Sequence, residues 1–400
     1  MSYLATRLSL IQPSPTLAMT AKASQMKAEG IDVIALSAGE PDFDTPDHIK
    51  EAAKIAMDKG LTKYTAVDGL PDLKKAIQAK FKKDNSLDYD LDQLMAATGG
   101  KQVIFNALMA TINPGDEVII PAPYWVSYPD MVNLFGGVPK IIQCPEVAGF
   151  KLTPALLESA ITLNTKWLIL NSPSNPTGEL YSQQELEALG KVLERHPHIM
   201  VMCDDIYEYL VYDNQPFMTL ASVCPGLQSR CLIVNGVSKS YSMTGWRLGY
   251  GAGPKPLIKA MTMLQSQSTS NPCSITQAAA IAAINGDRSF LKDWCQSFAA
   301  RRNLTAQLIN DIPGLACRIP QGAFYLYINC QGILGKRTPS GQLIENDNQF
   351  AQYLLAEAFV AVVSGDAFGL SPYFRISYAT SDAVLKQACL RIREAVEKLV

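Results

Sequence analysis

Apolar runs alternate with amphipathic stretches through the middle of the chain. Between about residues 90 and 235, short β-rich runs are separated by segments whose apolar residues recur at helical spacing. The predicted strands are Glu117 to Ala122, Val138 to Cys144, Lys166 to Asn171, Ile199 to Asp204 and Arg230 to Asn235. Strands that alternate with helices form a parallel sheet with both faces covered, so the pattern predicts an α/β fold.

The chain before residue 90 carries helix-start signals. Thr45-Pro46 and Leu70-Pro71 each place a proline just inside a predicted helix, ahead of apolar residues at helical spacing. A short strand from Leu94 to Ala97 then leads into a helix from Gln102 to Ile112. Gly249 to Gly253 resembles a dinucleotide loop, but Pro254 follows where the final glycine should stand, which favours a strand of small residues.

The pattern changes after about residue 290. A long helix, short strands from Ala323 to Asn329 and Tyr373 to Tyr378, and a terminal helix from Ser381 predict a separate, smaller α+β domain. The first 45 residues contain only a short strand-like run, Ile31 to Leu36, and are too few for a core of their own. We therefore expect an N-terminal segment (1–45) that packs on the small domain, a large domain (46–290) and a small C-terminal domain (291–400).

Composition excludes several functional classes. The 35 Lys and Arg nearly balance the 37 Asp and Glu, so the charge balance does not suggest binding to nucleic acid or to an anionic membrane. The nine cysteines lack a C-x-x-C pair, which is typical of thiols in a reducing cytoplasm, and no secretory leader or membrane-spanning run is visible. The three histidines do not have metal-ligand spacing, so we predict no metal and a small-molecule substrate.

Polar clusters follow several predicted strands, at the sheet edge where α/β proteins bind ligands. Thr98 to Lys101 contains two glycines before a helix, an arrangement that lets backbone N–H groups approach a phosphate, although glycine there is often only a turn. Trp125 follows the next strand and could stack on a flat heterocycle or equally belong to the core. Asn171 to Gly178 is a turn-rich segment with many hydrogen-bond donors.

Two later clusters carry ionisable groups. Cys203 to Tyr207 ends a strand with aspartates, and such a carboxylate could keep a pyridine nitrogen protonated. Ser238 to Arg247 follows the last predicted strand, and it combines a lysine that could form an imine with an arginine suited to phosphate. Each cluster alone is weak, but together they specify one kind of site.

In these clusters the chain resembles the aspartate aminotransferase family, the class I and II aminotransferases of the type I pyridoxal 5′-phosphate (PLP) fold. The resemblance extends over nearly the whole chain and includes Ser37 to Pro46, Lys63 to Thr65, and Arg375 to Thr380 as well as the clusters above. It implies a large PLP-binding domain with a mostly parallel sheet of seven strands, plus a smaller α+β domain.

The resemblance also implies a role for each matching residue. Lys239 would be the Schiff-base lysine and would shuttle the proton, while Asp204, three residues before Tyr207, would pair with the pyridine nitrogen. The remaining cofactor contacts would come from Tyr207 and Asn175 at the phenolic oxygen, Trp125 on the ring, and Gly100, Lys101, Ser238 and Arg247 at the phosphate. Tyr64 would reach the phosphate of a neighbouring subunit, which implies a homodimer with shared active sites.

The same resemblance suggests the substrates, amino acids and 2-oxo acids. Arg375 would bind the α-carboxylate, assisted by Gly39 and Asn175, and the Lys101 side chain would meet the distal carboxylate of aspartate. The expected activity is therefore L-aspartate:2-oxoglutarate aminotransferase. Aromatic, alanine or prephenate transamination on the same scaffold is the enzymatic alternative, and a PLP-binding regulator without catalysis is the alternative from another class.

The chain departs from the family pattern at three positions. Gly236 stands where many relatives have a phosphate-binding serine, and Ser364 stands where proline is common. Gln12 replaces a basic residue typical of relatives that also act on prephenate, which argues against that second activity, although Thr16 and Lys101 are compatible with it.

Overall fold

The computed structural model describes residues 3–400. Its strands are β1 Ile34–Ala35, β2 Leu94–Ala97, β3 Glu117–Ala122, β4 Val138–Gln143, β5 Thr165–Asn171, β6 Met200–Asp204, β7 Cys231–Gly236, β8 Gly249–Ala252, β9 Ala316–Cys317, β10 Tyr325–Asn329, β11 Val360–Ala361, β12 Val363–Ser364 and β13 Tyr373–Ser377.

The α-helices are α1 Pro15–Ala28, α2 Asp47–Asp58, α3 Pro71–Asn85, α4 Gly100–Thr111, α5 Ser127–Leu134, α6 Pro154–Ala160, α7 Gln183–Glu194, α8 Leu220–Val223, α9 Lys255–Ser266, α10 Ser274–Asn285, α11 Phe290–Asn310, α12 Asp347–Glu357 and α13 Asp382–Glu397. Short 3-10 turns cover Thr6–Leu10, Leu91–Gln93, Glu146–Ala148, Pro225–Arg230, Thr244–Trp246, Gln331–Ile333 and Asp366–Phe368.

A seven-stranded sheet in the order β2-β8-β7-β6-β5-β3-β4 forms the centre of the fold. The strands from β7 to β4 are parallel to their neighbours, whereas β8 runs antiparallel to both β7 and β2. The carboxyl ends of β2, β3, β5, β6 and β7 therefore meet at one edge, together with the amino end of β8. The predicted α/β class with a mostly parallel sheet is confirmed.

Apolar side chains cover both faces of this sheet. In β5, Leu168 and Leu170 join one hydrophobic cluster with α7 and α10, while Trp167 and Ile169 join another with α4 and α9. This alternation follows from the pleat, which points successive side chains to opposite faces. Because both faces are packed with helices, the strands consist largely of apolar residues and the polar residues are left to the strand ends.

A four-stranded sheet in the order β12-β13-β10-β9 lies in the C-terminal part of the chain. It packs with α11, α12 and α13 around a further hydrophobic cluster, to which Tyr207, Leu210 and Tyr212 also contribute. The N-terminal strand β1 pairs in parallel with β11. The exact domain limits stay a prediction, as does the assignment of residues 1–45, of which the first two lie outside the described residues.

Most of the remaining helix and strand predictions agree closely with the structure, but the strand-like run Ile31 to Leu36 is reduced to β1, Ile34–Ala35. Pro71 is the first residue of α3, but Pro46 is the residue that caps α2 from outside rather than its first helical residue. The small-residue segment from Gly249 forms a strand, as predicted. Within residues 3–400, every helix is too short or too polar to cross a lipid bilayer.

Candidate active site

A cavity of about 240 Å³ opens at the carboxyl edge of the seven-stranded sheet. Its wall includes eleven of the twelve predicted site residues, which are Gly39, Gly100, Lys101, Trp125, Asn175, Asp204, Tyr207, Ser238, Lys239, Arg247 and Arg375. The twelfth, Tyr64, lies elsewhere. Residues separated by more than 300 positions in the chain thus meet in one cleft.

The amine of Lys239 lies inside this cavity. Lys239 follows the end of β7, and its Nζ donates a hydrogen bond of 2.6 Å to the Gly39 carbonyl. Burial lowers the pKa of Lys239 to about 8, although the carboxylate of Glu40 acts in the opposite direction. A lower pKa leaves more of the amine neutral, so Lys239 is a better nucleophile near neutral pH than an exposed lysine.

Asp204 ends β6 and presents its carboxylate to the cavity. The Tyr128 hydroxyl donates a hydrogen bond of 2.5 Å to Asp204 Oδ2, and both side chains are buried. Burial raises the pKa of Asp204 to about 6, while the Tyr128 hydrogen bond acts to lower it. Asp204 is therefore ionised at neutral pH and can pair with a cationic ring nitrogen.

The neighbouring carboxylate of Asp205 is placed differently. Asp205 is buried behind the sheet edge, does not line the cavity, and leaves Oδ2 without a hydrogen-bond partner. Burial raises the pKa of Asp205 well above its usual value, which favours the neutral acid. The geometry thus favours Asp204 as the residue that faces a ligand.

An anion cradle lies at the start of α4. Gly99 has a φ of +89°, and a Cβ there would collide with the guanidinium of Arg247. A Cβ at Gly249 would collide with the backbone of Gly100, so glycine at this β8 position lets the amino end of α4 approach the sheet. Ser238 also faces this part of the cavity. Free N–H groups, a helix dipole and a planar cation suit a phosphate.

Arg375 is a second arginine in the wall of the cavity. It lies on β13, its side chain is buried, and its guanidinium donates 2.7 Å hydrogen bonds to Asn175 Oδ1 and to the Ser37 carbonyl. Its Nε has no hydrogen-bond partner although it is buried. A buried cation without a carboxylate partner and with an unused donor is suited to bind an anionic ligand.

Lys101 and Trp125 form another wall. Lys101 Nζ lies 4.8 Å from the centre of the Trp125 ring, a cation–π distance. Burial and the nearby charge of Arg247 lower the pKa of Lys101. The Lys101 side chain lines the cavity in addition to supplying a backbone N–H, so it is available to meet a negatively charged group.

Tyr64 is separate from this cavity. Its side chain is 91% exposed, which is unusual for a tyrosine. The next residue, Thr65, is tied to α10 because its Oγ1 accepts a 3.0 Å hydrogen bond from Gln277. Tyr64 therefore stands on a supported loop from which it can reach a second molecule.

A strap, residues 39–46, begins at the cavity wall with Gly39 and is held from two sides. On the side of the seven-stranded sheet, Thr45 Oγ1 donates to the Ser242 carbonyl at 2.6 Å, and Thr244 Oγ1 donates to Glu40 at 2.9 Å. On the other side, the Arg301 guanidinium of α11 forms a 2.8 Å ion pair with Asp42. Gly39, whose carbonyl receives the Lys239 hydrogen bond, belongs to this strap.

Two tyrosines that the sequence patterns do not single out also belong to the site: Tyr325 lines the cavity, and Tyr128 supports Asp204. Tyr128 lies two residues into α5, and its contact with Asp204 bridges 76 positions of the sequence. Tyr325 begins β10, and its hydroxyl lies 2.8 Å from the Tyr207 hydroxyl. The only available signal was that both are polar aromatics in largely apolar segments, which is not specific enough to identify a site residue.

The cavity therefore combines four kinds of chemical group: the nucleophilic amine of Lys239, the buried carboxylate of Asp204, the anion cradle at the start of α4, and a second anion site at Arg375. These groups can hold a flat phosphorylated heterocycle beside a carboxylate-bearing substrate, with the amine positioned to form a covalent bond and to move a proton.

Known proteins resemble this chain over nearly its whole length. Residues 31–392 match the family model described as aminotransferase class I and II. The chain is 57% identical over 399 residues to a probable aspartate/prephenate aminotransferase of Rickettsia bellii, with all of both chains covered. It superposes on the crystal structure of the aspartate aminotransferase from Rhizobium meliloti with a TM-score of 0.97 and 55% identity over 100% of both chains. It also superposes on the aspartate aminotransferase of Thermus thermophilus with maleate, with a TM-score of 0.92 and 39% identity over 99% of this chain and 100% of that one.

Proposed function

Because the chain belongs to the class I and II aminotransferase family, we propose that it is an aspartate aminotransferase, which converts L-aspartate and 2-oxoglutarate to oxaloacetate and L-glutamate. The observation that carries this proposal is the cavity that brings Lys239, Asp204, Arg247 and Arg375 together. The two solved structures named above are those of aspartate aminotransferases, which supports aspartate as the donor.

PLP fits the residues of the cavity. The cradle of Gly100, Ser238 and Arg247 would hold the phosphate, and Asp204 would pair with the ring nitrogen. When bound, PLP supplies an electron sink for the charge that develops at the substrate Cα. Asp204 supports this sink because its carboxylate is ionised at neutral pH and is held in place by Tyr128. Lys239 anchors the cofactor through its amine.

The substrate would be held at both ends. Arg375 would take the α-carboxylate as a planar double donor, and Lys101 would meet the distal carboxylate of a dicarboxylic acid. Maleate, which accompanies the Thermus thermophilus structure, is itself a dicarboxylate, and this supports the pairing of two cations with two carboxylates. Held in this way, the substrate presents its Cα–H bond to the Lys239 amine, which takes the proton and returns it.

We also propose that the protein forms a homodimer with shared active sites and that it is located in the cytoplasm. The exposed Tyr64 supports the dimer because its loop is ordered by α10 while its ring is free to contact a second subunit. The nine free cysteines support a reducing compartment.

Prephenate transamination is a second candidate. It is favoured by the 57% identity to the Rickettsia bellii protein, whose description includes prephenate. Thr16 and Lys101 both line the cavity and are compatible with this activity, whereas Gln12 lacks the positive charge expected there. The two candidates differ only in how the distal end of the substrate is recognised.

Steady-state kinetics with a panel of substrates would test both candidates. The PLP-loaded protein is assayed with aspartate, alanine and phenylalanine as donors to 2-oxoglutarate, with glutamate as donor to oxaloacetate, and with prephenate as an acceptor for aspartate and glutamate. We expect aspartate to have the highest kcat/KM among donors in the forward direction. A higher value for phenylalanine or alanine would overturn the aspartate proposal. Transfer to prephenate would establish the second candidate, and PLP binding without any transamination would favour a regulator.

A further inference from the structure

Tyr325 lies where the two sheets approach each other. It begins β10, is fully buried, and lines the cavity. Its neighbour on β13 is Ser377, two residues beyond Arg375, so Tyr325 and Arg375 lie near each other across the same strand pair. Tyr207, by contrast, follows β6 of the seven-stranded sheet. Tyr325 is therefore the side chain of the C-terminal sheet that reaches the cofactor side of the cavity.

The hydroxyl of Tyr325 has a defined environment. It lies 2.8 Å from the Tyr207 hydroxyl, and either oxygen can donate in this pair. It also packs against the strap, since a Cβ at Gly39 would lie 2.8 Å from it. If Tyr207 donates its single proton to a bound ligand, its oxygen is left as an acceptor, and Tyr325 is the hydroxyl in position to donate to it.

The ring of Tyr325 has a second contact. The Arg375 guanidinium carbon lies 4.5 Å from the ring centre, within cation–π range. Burial raises the pKa of Tyr325, but the Arg375 charge acts to lower it. The Tyr325 hydroxyl therefore keeps its proton and can donate it in a hydrogen bond, while the ring supports the face of the guanidinium.

We propose that Tyr325 is a positioning residue for both ends of the site: its hydroxyl donates to Tyr207, and its ring holds the Arg375 guanidinium in place. This inference rests on the proposed function, in which Tyr207 donates to the phenolic oxygen of PLP. A hydrogen bond received by Tyr207 polarises its own O–H and strengthens the bond that it donates. Tyr325 therefore acts on the cofactor through Tyr207 and on the substrate through Arg375.

Two substitutions separate these roles. Tyr325→Phe removes the hydroxyl and keeps the ring, whereas Tyr325→Leu removes both. Tyr353→Phe is the matched control, because Tyr353 is a buried tyrosine of α12 whose hydroxyl donates to the Ala395 carbonyl at 2.8 Å, away from the cavity. The PLP-loaded proteins are compared by the pH titration of the visible cofactor absorbance and by the Kd of succinate, a dicarboxylate without an amino group.

We expect Tyr325→Phe to raise the midpoint of the absorbance titration by about 0.5 pH unit or more, because a weaker hydrogen bond leaves the phenolic oxygen more basic. Its succinate Kd should stay within about twofold of wild type, since the ring remains. Tyr325→Leu should show the same shift and, in addition, a Kd about fivefold higher or more. Tyr353→Phe should change neither quantity.

An unchanged midpoint in Tyr325→Phe would overturn the role of the hydroxyl, and equal succinate affinity in the Phe and Leu variants would overturn the role of the ring. Circular dichroism checks the fold, and Tyr325→Met replaces Tyr325→Leu if the latter does not fold. Failure of the proposed function would look different, because the wild-type protein would then lack the cofactor absorbance or would not transaminate aspartate.

Discussion

Replacing Arg375 with lysine tests how the cavity recognises a carboxylate. Lysine keeps the positive charge but has no planar fork, and it cannot donate to Asn175 Oδ1, the Ser37 carbonyl and a substrate together in the geometry of a guanidinium. The shorter lysine side chain also loses contact with the Tyr325 ring, whose centre lies 4.5 Å from the guanidinium carbon of Arg375. The substitution therefore changes how a bound carboxylate is oriented, while the charge of residue 375 stays positive.

The size of the effect follows from the contact that is lost. A hydrogen bond to a charged group contributes about 1.5–3 kcal/mol. At about 1.4 kcal/mol for each factor of ten, kcat/KM for aspartate should fall roughly 10- to 150-fold in Arg375→Lys. PLP binding should be retained because the proposed partner of Arg375 is the substrate carboxylate and not the cofactor. Steady-state kinetics with aspartate and 2-oxoglutarate measure kcat/KM. The visible absorbance of the loaded protein measures PLP binding.

Arg302 offers a matched control. It is as buried as Arg375, with 2% and 1% exposure respectively, but it forms a 2.8 Å ion pair with Asp213 outside the cavity. Arg302→Lys should lower the melting temperature and leave the KM for aspartate unchanged. The reasoning is refuted if Arg375→Lys keeps kcat/KM within about threefold of wild type, or if Arg302→Lys reduces it as strongly.

Four further predictions concern the cofactor and the distal end of the substrate. Asp204→Asn should retain PLP but lose roughly 100-fold or more in kcat, whereas Asp205→Asn should keep its turnover; the opposite ranking would contradict the assignment. Lys101→Met should lower kcat/KM for aspartate roughly 10- to 150-fold more than for phenylalanine, and equal losses would indicate general damage to the site. Mixing Tyr64→Ala and Lys239→Ala chains should restore part of the activity if Tyr64 acts across a dimer; no recovery in a mixture shown to contain heterodimers would count against this. The rate at which cofactor-free protein captures PLP should rise with pH and level off above about 8, since the Lys239 amine reacts when neutral; a flat profile would be inconsistent with this pKa.

The positions of the strand-end clusters could be predicted from the sequence because their causes are local. Lys101, Asp204 and Lys239 each follow a short apolar run, and parallel strands bring such positions to one edge of a sheet. The choice of Asp204 over Asp205 rested only on the family resemblance. The alternation of side chains along β6 gives a physical reason for it, since consecutive residues at a strand end point in different directions.

Other features depend on contacts that sequence patterns do not reveal. The antiparallel direction of β8 follows from how the chain returns to the sheet, and a run of small residues carries no sign of direction. Tyr128 and Tyr325 acquire their roles from partners 76 and 118 positions away. Pro46 differs from its prediction by a single position, because proline suits both the residue before a helix and its first turn.

The strap of residues 39–46 has a consequence for how the protein can be divided. Its bonds to Ser242 and Thr244 on one side and to Arg301 on the other connect the segment that carries Gly39, a residue of the cavity wall, to two parts of the chain. A fragment that retained the seven-stranded sheet alone would keep Lys239 but lose the tether that sets the position of the Gly39 carbonyl beside its amine. Engineering by fragment exchange between relatives should therefore transfer this strap together with α11.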